Sequence, residues 1–114
     1  MMKANYTYKA KVVKVYDGDT ITVDIDLGLD VWIHDQKIRL YGIDTPEVRG
    51  AEKVKGLLVR DHLRKMIMGK EIILETFKDK KGKYGRWLGT VWFQGVNINE
   101  HLVKQRMARV DYYK

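Results

Sequence analysis

Residues 38–47 read IRLYGIDTPE. The first four have the look of a buried strand, and the last four set Asp44, Thr45 and Glu47 around the single proline, Pro46. At this point the apolar period of the chain changes. Upstream, TITVDIDL (20–27) puts Ile21, Val23, Ile25 and Leu27 on one face and Thr22, Asp24 and Asp26 on the other. That is period two, the mark of a half-buried strand. YTYKAKVVKVY (6–16) runs into Asp17-Gly18, a strong hairpin signal between two strands. VWIHDQKIRLY (31–41) predicts a third strand with an interruption near His34-Asp35. Downstream, AEKVKGLLVRDHLRKMIMG (51–69) aligns Ala51, Val54, Leu58, His62 and Met66 on one helical stripe. Gly69 is the expected stop, and Gly56 inside the helix costs about 1 kcal/mol against alanine.

EIILETF (71–77) and RWLGTVWF (86–93) predict a fourth and a fifth strand, separated by the basic loop KDKKGKYG (78–85). The fifth turns at Gln94-Gly95. Asn97 or Asn99 then caps a short helix carrying Ile98, Leu102 and Val103. Three strands, a helix, two strands and a helix predict a mainly β (α+β) fold. The expected architecture is an OB-fold, a five-stranded Greek-key barrel with a helix between strands 3 and 4 and a short helix near the C-terminus. The βαβ alternation of a parallel sheet is absent, and no repeat or linker divides residues 1–114, so one domain is expected.

The formal net charge is +7, with 45% hydrophobic and 32% charged residues. This is a globular composition whose basic excess leaves nucleic acid, anionic membrane and acidic protein open as partners. Seven tyrosines and three tryptophans suit base stacking and core packing equally. The absence of cysteine excludes disulfides and Cys-ligated zinc. No apolar run has the length of a membrane span, so no membrane association is expected. The start shows no signal peptide. A cytoplasmic location is therefore expected, or a secreted one with the leader removed.

Individually, the polar residues have ordinary explanations. Asp17 and Asp19 flank Gly18 as hairpin residues. Asp44 and Glu47 suit a turn before a helix start. Arg39 lies mid-strand, either facing outward or held for a purpose, and Arg86 lies in a basic loop. His34, His62 and His101 lack metal-ligand spacing, and a serine- or cysteine-based triad is impossible because neither residue occurs.

Taken together, DGDT (17–20), RLYGIDTPE (39–47) and KYGR (83–86) resemble the staphylococcal nuclease (thermonuclease) family, and the resemblance runs from about Lys11 to Tyr112. The family fold is an OB barrel with helices. The resemblance implies that Asp19 and Asp44 give carboxylates, and Thr45 its backbone carbonyl, to one Ca2+, an ion that takes hard oxygen ligands. Glu47 matches the general base, Arg39 and Arg86 the phosphate-gripping arginines. Tyr84 and Tyr112, assisted by Lys83, match the nucleotide site. The loop after Glu47 is shorter than the family's long loop.

The implied function is a Ca2+-dependent endonuclease acting on DNA and RNA with low sequence specificity, as a monomer. It cleaves the 5′ P–O bond and leaves 3′-phosphate ends. The alternatives are a catalytically silent OB module that binds nucleic acid or protein, and a basic OB domain that binds acidic proteins. Completeness of the set Asp19, Arg39, Asp44, Glu47 and Arg86 favours the enzyme.

Overall fold

The computed structural model describes residues 6–78 and 87–111. The predicted hairpin forms from β1 (Tyr6–Asp17) and β2 (Thr20–Asp26), which pair antiparallel around Gly18 and Asp19. The alternation in β2 is as predicted: Ile21, Val23 and Ile25 are buried, whereas Thr22, Asp24 and Asp26 are half-exposed. Leu27 departs from that pattern. It lies past the end of β2 and is 42% exposed.

β3 (Trp32–Leu40) pairs antiparallel with β2. The expected interruption is a bulge: the register slips between Val23 and Ile25, and Asp35 takes a φ of 57°. Asp24 fills the bulge, accepting the Asp35 N–H at 2.9 Å and lying 3.1 Å from His34 Nδ1.

Two residues of β4 (Ile43–Asp44) follow, then a 3-10 turn (Gly50–Glu52) and α1 (Lys53–Ile67). β5 (Glu71–Lys78) and β6 (Trp87–Phe93) form the next antiparallel pair. The turn at Gln94-Gly95 leads to β7 (Val96–Asn97), α2 (Ile98–Lys104) and β8 (Arg109–Val110), which pairs with β4. The long strands are ordered β3-β2-β1-β5-β6, and a parallel pairing of β3 with β6 closes the ring. This is the expected five-stranded OB barrel, with α1 after the third long strand. Closure removes the exposed sheet edges of the long strands. No helix among the described residues is long and apolar enough to cross a membrane.

The barrel core is filled from β1, β2, β3, β5 and β6, among others by Val12, Ile21, Ile38, Leu74 and Val91. α1 closes one end, but with a different face from the one predicted. Gly56, Val59, Leu63 and Ile67 are buried, while Val54 and Leu58 are 75% and 64% exposed. The buried stripe is the predicted one rotated by a single residue. The cause is Gly56: the Glu47 carbonyl lies where a Gly56 Cβ would stand. The helix turns its smallest residue toward the loop after β4 and so approaches more closely than any side chain would allow.

At the C-terminal end, Asn97 is the helix cap, its Oδ1 accepting the Glu100 N–H at 3.0 Å. Asn99 is buried and bridges the barrel. Its Oδ1 accepts the Val91 N–H at 3.1 Å, and its Nδ2 donates to the carbonyls of Tyr41 at 2.9 Å and Gly89 at 3.0 Å.

Candidate active site

The hairpin turn between β1 and β2 brings two carboxyl groups inside. Asp17 and Asp19 are only 6% and 5% exposed. Asp17 has the expected turn role, its Oδ1 accepting the Asp19 N–H at 3.0 Å. Asp19 does more. Its Oδ2 accepts the Thr45 N–H at 3.1 Å and pairs with Arg39 Nη1 at 2.8 Å, and its Oδ1 accepts the Thr20 hydroxyl at 3.2 Å. Its carbonyl accepts the Leu40 N–H at 2.8 Å. One aspartate thus fastens the β1–β2 turn to β3 and to the loop after β4.

Arg39 lies opposite Thr20 of β2 and beside Leu88 of β6. Ile38 and Leu40 point into the core, so Arg39 points outward; it is nevertheless only 12% exposed at its side chain. Its Nη2 donates to the Ile43 carbonyl at 3.2 Å and lies 3.7 Å from Asp44 Oδ1. The outward-facing and purposeful readings of this residue are therefore both correct. A single guanidinium draws together the two aspartates that the sequence separates by 24 intervening positions.

Asp44 has a further partner that its sequence neighbours do not reveal. Arg109, opposite it in the β4–β8 pair, donates to Asp44 Oδ2 from Nε at 3.1 Å and Nη2 at 2.8 Å. Thr45 is buried, and its Oγ1 has no hydrogen-bond partner among the described residues. Glu47 is exposed beyond Pro46, and its carboxylate faces the same cleft.

That cleft has a volume of about 640 Å³ and is lined by Asp17, Asp19, Arg39, Asp44 and Glu47, together with Lys14, Tyr16, Thr20, Thr22 and Lys37. Its electrostatics separate the two hairpin acids. Burial and the neighbouring charge of Asp19 push the Asp17 carboxyl up to about 7. Burial also acts to raise Asp19, but Arg39, the Asp17 carboxyl and the Thr45 N–H outweigh it and hold Asp19 below the usual carboxylate range. The pair therefore keeps a proton on Asp17 more readily than on Asp19, leaving Asp19 as the anion beside Arg39.

Five sequence-predicted residues, Asp19, Arg39, Asp44, Thr45 and Glu47, come together around this cleft or its wall. Arg86, Lys83, Tyr84 and Tyr112 lie outside the described residues. The donor chemistry suits a hard cation: every candidate is oxygen, and both carboxylates turn toward one guanidinium. Among the described residues, no group of three or more His, Cys, Asp or Glu has the arrangement of a metal centre. Asp19 and Asp44 would therefore be a minority of the ligands around any ion held here.

The comparison with known proteins agrees with this architecture. The model of the staphylococcal nuclease homologue family matches residues 37–114. This chain belongs to the staphylococcal nuclease family. Thermonuclease from Staphylococcus hyicus is 36% identical over 107 residues, covering 91% of this chain and 60% of that protein. Thermonuclease from Staphylococcus intermedius is 35% identical over 105 residues, covering 90% and 59%. An uncharacterized endonuclease from Haemophilus influenzae is 36% identical over 98 residues, covering 86% and 49%. The chain thus spans about 60% of the length of the thermonucleases it matches.

Membership of the family was reached from the sequence through DGDT, RLYGIDTPE and KYGR taken together. Asp17, Lys14 and Lys37, which line the cleft, and Arg109, which pairs with Asp44, were not singled out from the sequence as site residues. Asp17 carried a signal, since it begins DGDT, but it was absorbed by the turn. Arg109 carried none, because its partner lies 65 positions away.

Proposed function

We propose that this domain is a nuclease that hydrolyses phosphodiester bonds of DNA and RNA with little sequence preference. In this reading the reaction depends on one Ca2+, breaks the 5′ P–O bond and leaves a 3′-phosphate and a 5′-hydroxyl. The observation that carries the reading is the convergence of Asp19 and Asp44 on Arg39 at the wall of a cleft that Glu47 also faces.

Asp19 and Asp44 would hold the ion, with the Thr45 carbonyl, and phosphate and water would fill the remaining positions. When bound, Ca2+ would neutralise charge on the phosphate and draw it toward the carboxylates. Arg39 would grip a non-bridging phosphate oxygen with a planar fork that can donate twice. Its low exposure and its bonds to Asp19 and Ile43 fix its direction before substrate arrives, and pre-placed donors lower the barrier as charge grows on phosphorus oxygens. Glu47 would take a proton from the attacking water as that water's oxygen bonds to phosphorus and the P–O5′ bond breaks, the departing 5′-oxygen taking its proton from solvent water. Its carboxylate makes no hydrogen bond among the described residues, so it is available for water in the cleft. Arg86, Tyr84, Tyr112 and Lys83 are proposed as further phosphate and nucleotide contacts, on the family resemblance alone.

The test is direct. Plasmid and RNA are each incubated with the protein in Ca2+ or in chelator. Degradation in Ca2+ and protection in chelator are expected, and Asp44→Ala should lose both the Ca2+ response and most activity. Intact but retarded plasmid would replace the enzyme with a silent binding module. A wild-type Ca2+ response in Asp44→Ala would place the ion elsewhere.

A further inference from the structure

The acids occupy one end of the cleft; the other end is basic. We propose that Lys14, Lys37 and Tyr16 form a track for single-stranded nucleic acid on the outer face of β1, β2 and β3, continuing from Arg39 and holding the phosphate and base next to the scissile bond. The proposal rests on the nuclease reading for its direction, but its chemistry is independent of hydrolysis.

Register fixes the arrangement. Thr22 is paired with Lys14 on one side and Lys37 on the other, so the three form a row across the sheet. With strands about 4.8 Å apart, the two lysine Cα atoms stand roughly 10 Å from each other, with the small Thr22 between them. This row lies two residues along β2 from the Thr20–Arg39 pair. That displacement is about 7 Å, close to one nucleotide step of an extended strand. A phosphate gripped by Arg39 would therefore have its neighbour between Lys14 and Lys37. All three strands contribute outward positions to this face, and all of these side chains line the cleft.

Charge supports the same occupant. Arg39 already has Asp19 and Asp44 as partners, and the cleft's four acids would repel a polyanion approaching without a cation. Lys14 and Lys37 are exposed and supply positive charge on the wall away from those acids. The track is also short. The next row along the sheet pairs Lys11 with Asp24, whose carboxylate is taken by the Asp35 N–H and faces His34. Positive charge is offset there, so the track serves roughly one phosphate beyond the scissile one.

Tyr16 stands on the same face of β1 as Lys14 and is 39% exposed. Its hydroxyl accepts from Arg49 Nη2 at 2.6 Å, which holds the ring at the cleft mouth. A held, half-exposed ring beside a phosphate row is a stacking platform that accepts any base. Phosphate grip and stacking carry no base-edge readout, so the track would not select sequence.

Binding of fluorescein-labelled oligothymidylates of two and six nucleotides, measured by anisotropy in chelator across a salt series, tests this. The wild type should bind the hexamer more tightly than the dimer. In Lys14→Ala/Lys37→Ala the hexamer should weaken at least tenfold at low salt. Its slope of log K against log salt should become shallower by about 0.7, the loss of one single-strand phosphate contact. Lys14→Arg/Lys37→Arg should keep the wild-type slope. Lys65→Ala/Lys104→Ala removes the same charge elsewhere and should leave the slope nearly unchanged. Tyr16→Leu should weaken the hexamer about fivefold or more without altering the slope. The proposal is overturned if the Lys14/Lys37 alanine variant keeps the wild-type slope, or loses no more than the Lys65/Lys104 control. It is overturned equally if the wild type binds neither oligonucleotide. Binding with the expected lysine dependence but without cleavage in Ca2+ would sink the hydrolytic reading and leave the track standing.

Discussion

Gly56→Ala tests the link between α1 and the cleft. Glycine is normally the worse helix residue, and at an unconstrained interior position alanine would stabilise the helix by about 1 kcal/mol. Here the added Cβ would stand 2.9 Å from Val48 N and closer still to the Glu47 carbonyl carbon and oxygen. These are backbone atoms, so no side chain can rotate away. Ordinary contact requires the helix and the Glu47 loop to separate by roughly 1 Å. Overpacking of this kind costs about 1–3 kcal/mol, which cancels or exceeds the propensity gain. The net expectation is a loss of about 0–2 kcal/mol in stability. Activity should suffer more. Glu47 would move with its own carbonyl, and a misplacement of about 1 Å in a reacting group can cost about 100-fold. The assay pairs urea unfolding with initial rates on plasmid in Ca2+. A modest loss of stability with a drop in kcat of about 100-fold is expected. A variant more stable than wild type by about 1 kcal/mol, with unchanged kcat, would refute the close approach of α1 to the Glu47 loop as the reason for Gly56.

Glu47→Gln should lower turnover by at least about 100-fold, within the range for a lost general base, while nucleotide affinity measured by equilibrium binding stays near wild type; unchanged turnover would remove Glu47 from the chemistry. Asn99→Ala should destabilise by about 3 kcal/mol, since a buried N–H and two carbonyls lose their partner together, and an unshifted urea midpoint would contradict that bridge. Asp17→Asn should give a pH-dependent gain. With its folded value raised to about 7 from 3.8, Asp17 contributes stability that is fully present below 3.8 and is lost as the pH climbs to 7. In chelator, the variant should therefore gain on wild type across that window and melt roughly 4–8 °C higher at pH 8, the shift produced by about 1 kcal/mol. A difference in Tm that does not vary with pH would contradict the raised value.

Much of this was legible because the decisive residues are near one another in sequence or sit in strictly alternating strands. Ile21, Val23 and Ile25 declare the face of β2, and IRLYGIDTPE carries Arg39, Asp44, Thr45 and Glu47 within ten residues. The helix face was misassigned because apolar periodicity offered two adjacent stripes, and the choice between them depended on a backbone contact of Gly56 that periodicity does not encode. Arg109 and Asn99 escaped for a related reason. Arg109 acquires its role from pairing with a two-residue strand, and Asn99 from carbonyls on segments 58 and 10 positions away. The short capping motif placed Asn97 and Asn99 on equal terms, and burial alone separates them. Lys14 and Lys37 lie 23 positions apart, and only the register of three strands sets them either side of Thr22.

The same long-range contacts explain why a barrel can hold Arg39 so firmly. Arg39 lies on the strand that closes the ring, between Thr20 on β2 and Leu88 on β6. The seam ends at Gly89, paired with Leu40; a Cβ at Gly89 would stand 2.7 Å from Ile38 Cγ2 and 2.7 Å from Leu74 Cδ1. A larger residue there would push β3 from β6 and tilt the guanidinium away from Asp19. Asn99 secures that seam from beneath, by taking the Gly89 and Tyr41 carbonyls and the Val91 N–H in one side chain. Arg39 is thus aimed both by Asp19 in the cleft and by seam residues that do not line it. Loss of Asn99 should therefore reduce kcat as well as stability, and restoring the midpoint with a compensating core substitution should leave part of the kcat loss in place. Full recovery of kcat along with stability would show that the seam supports the fold without directing Arg39.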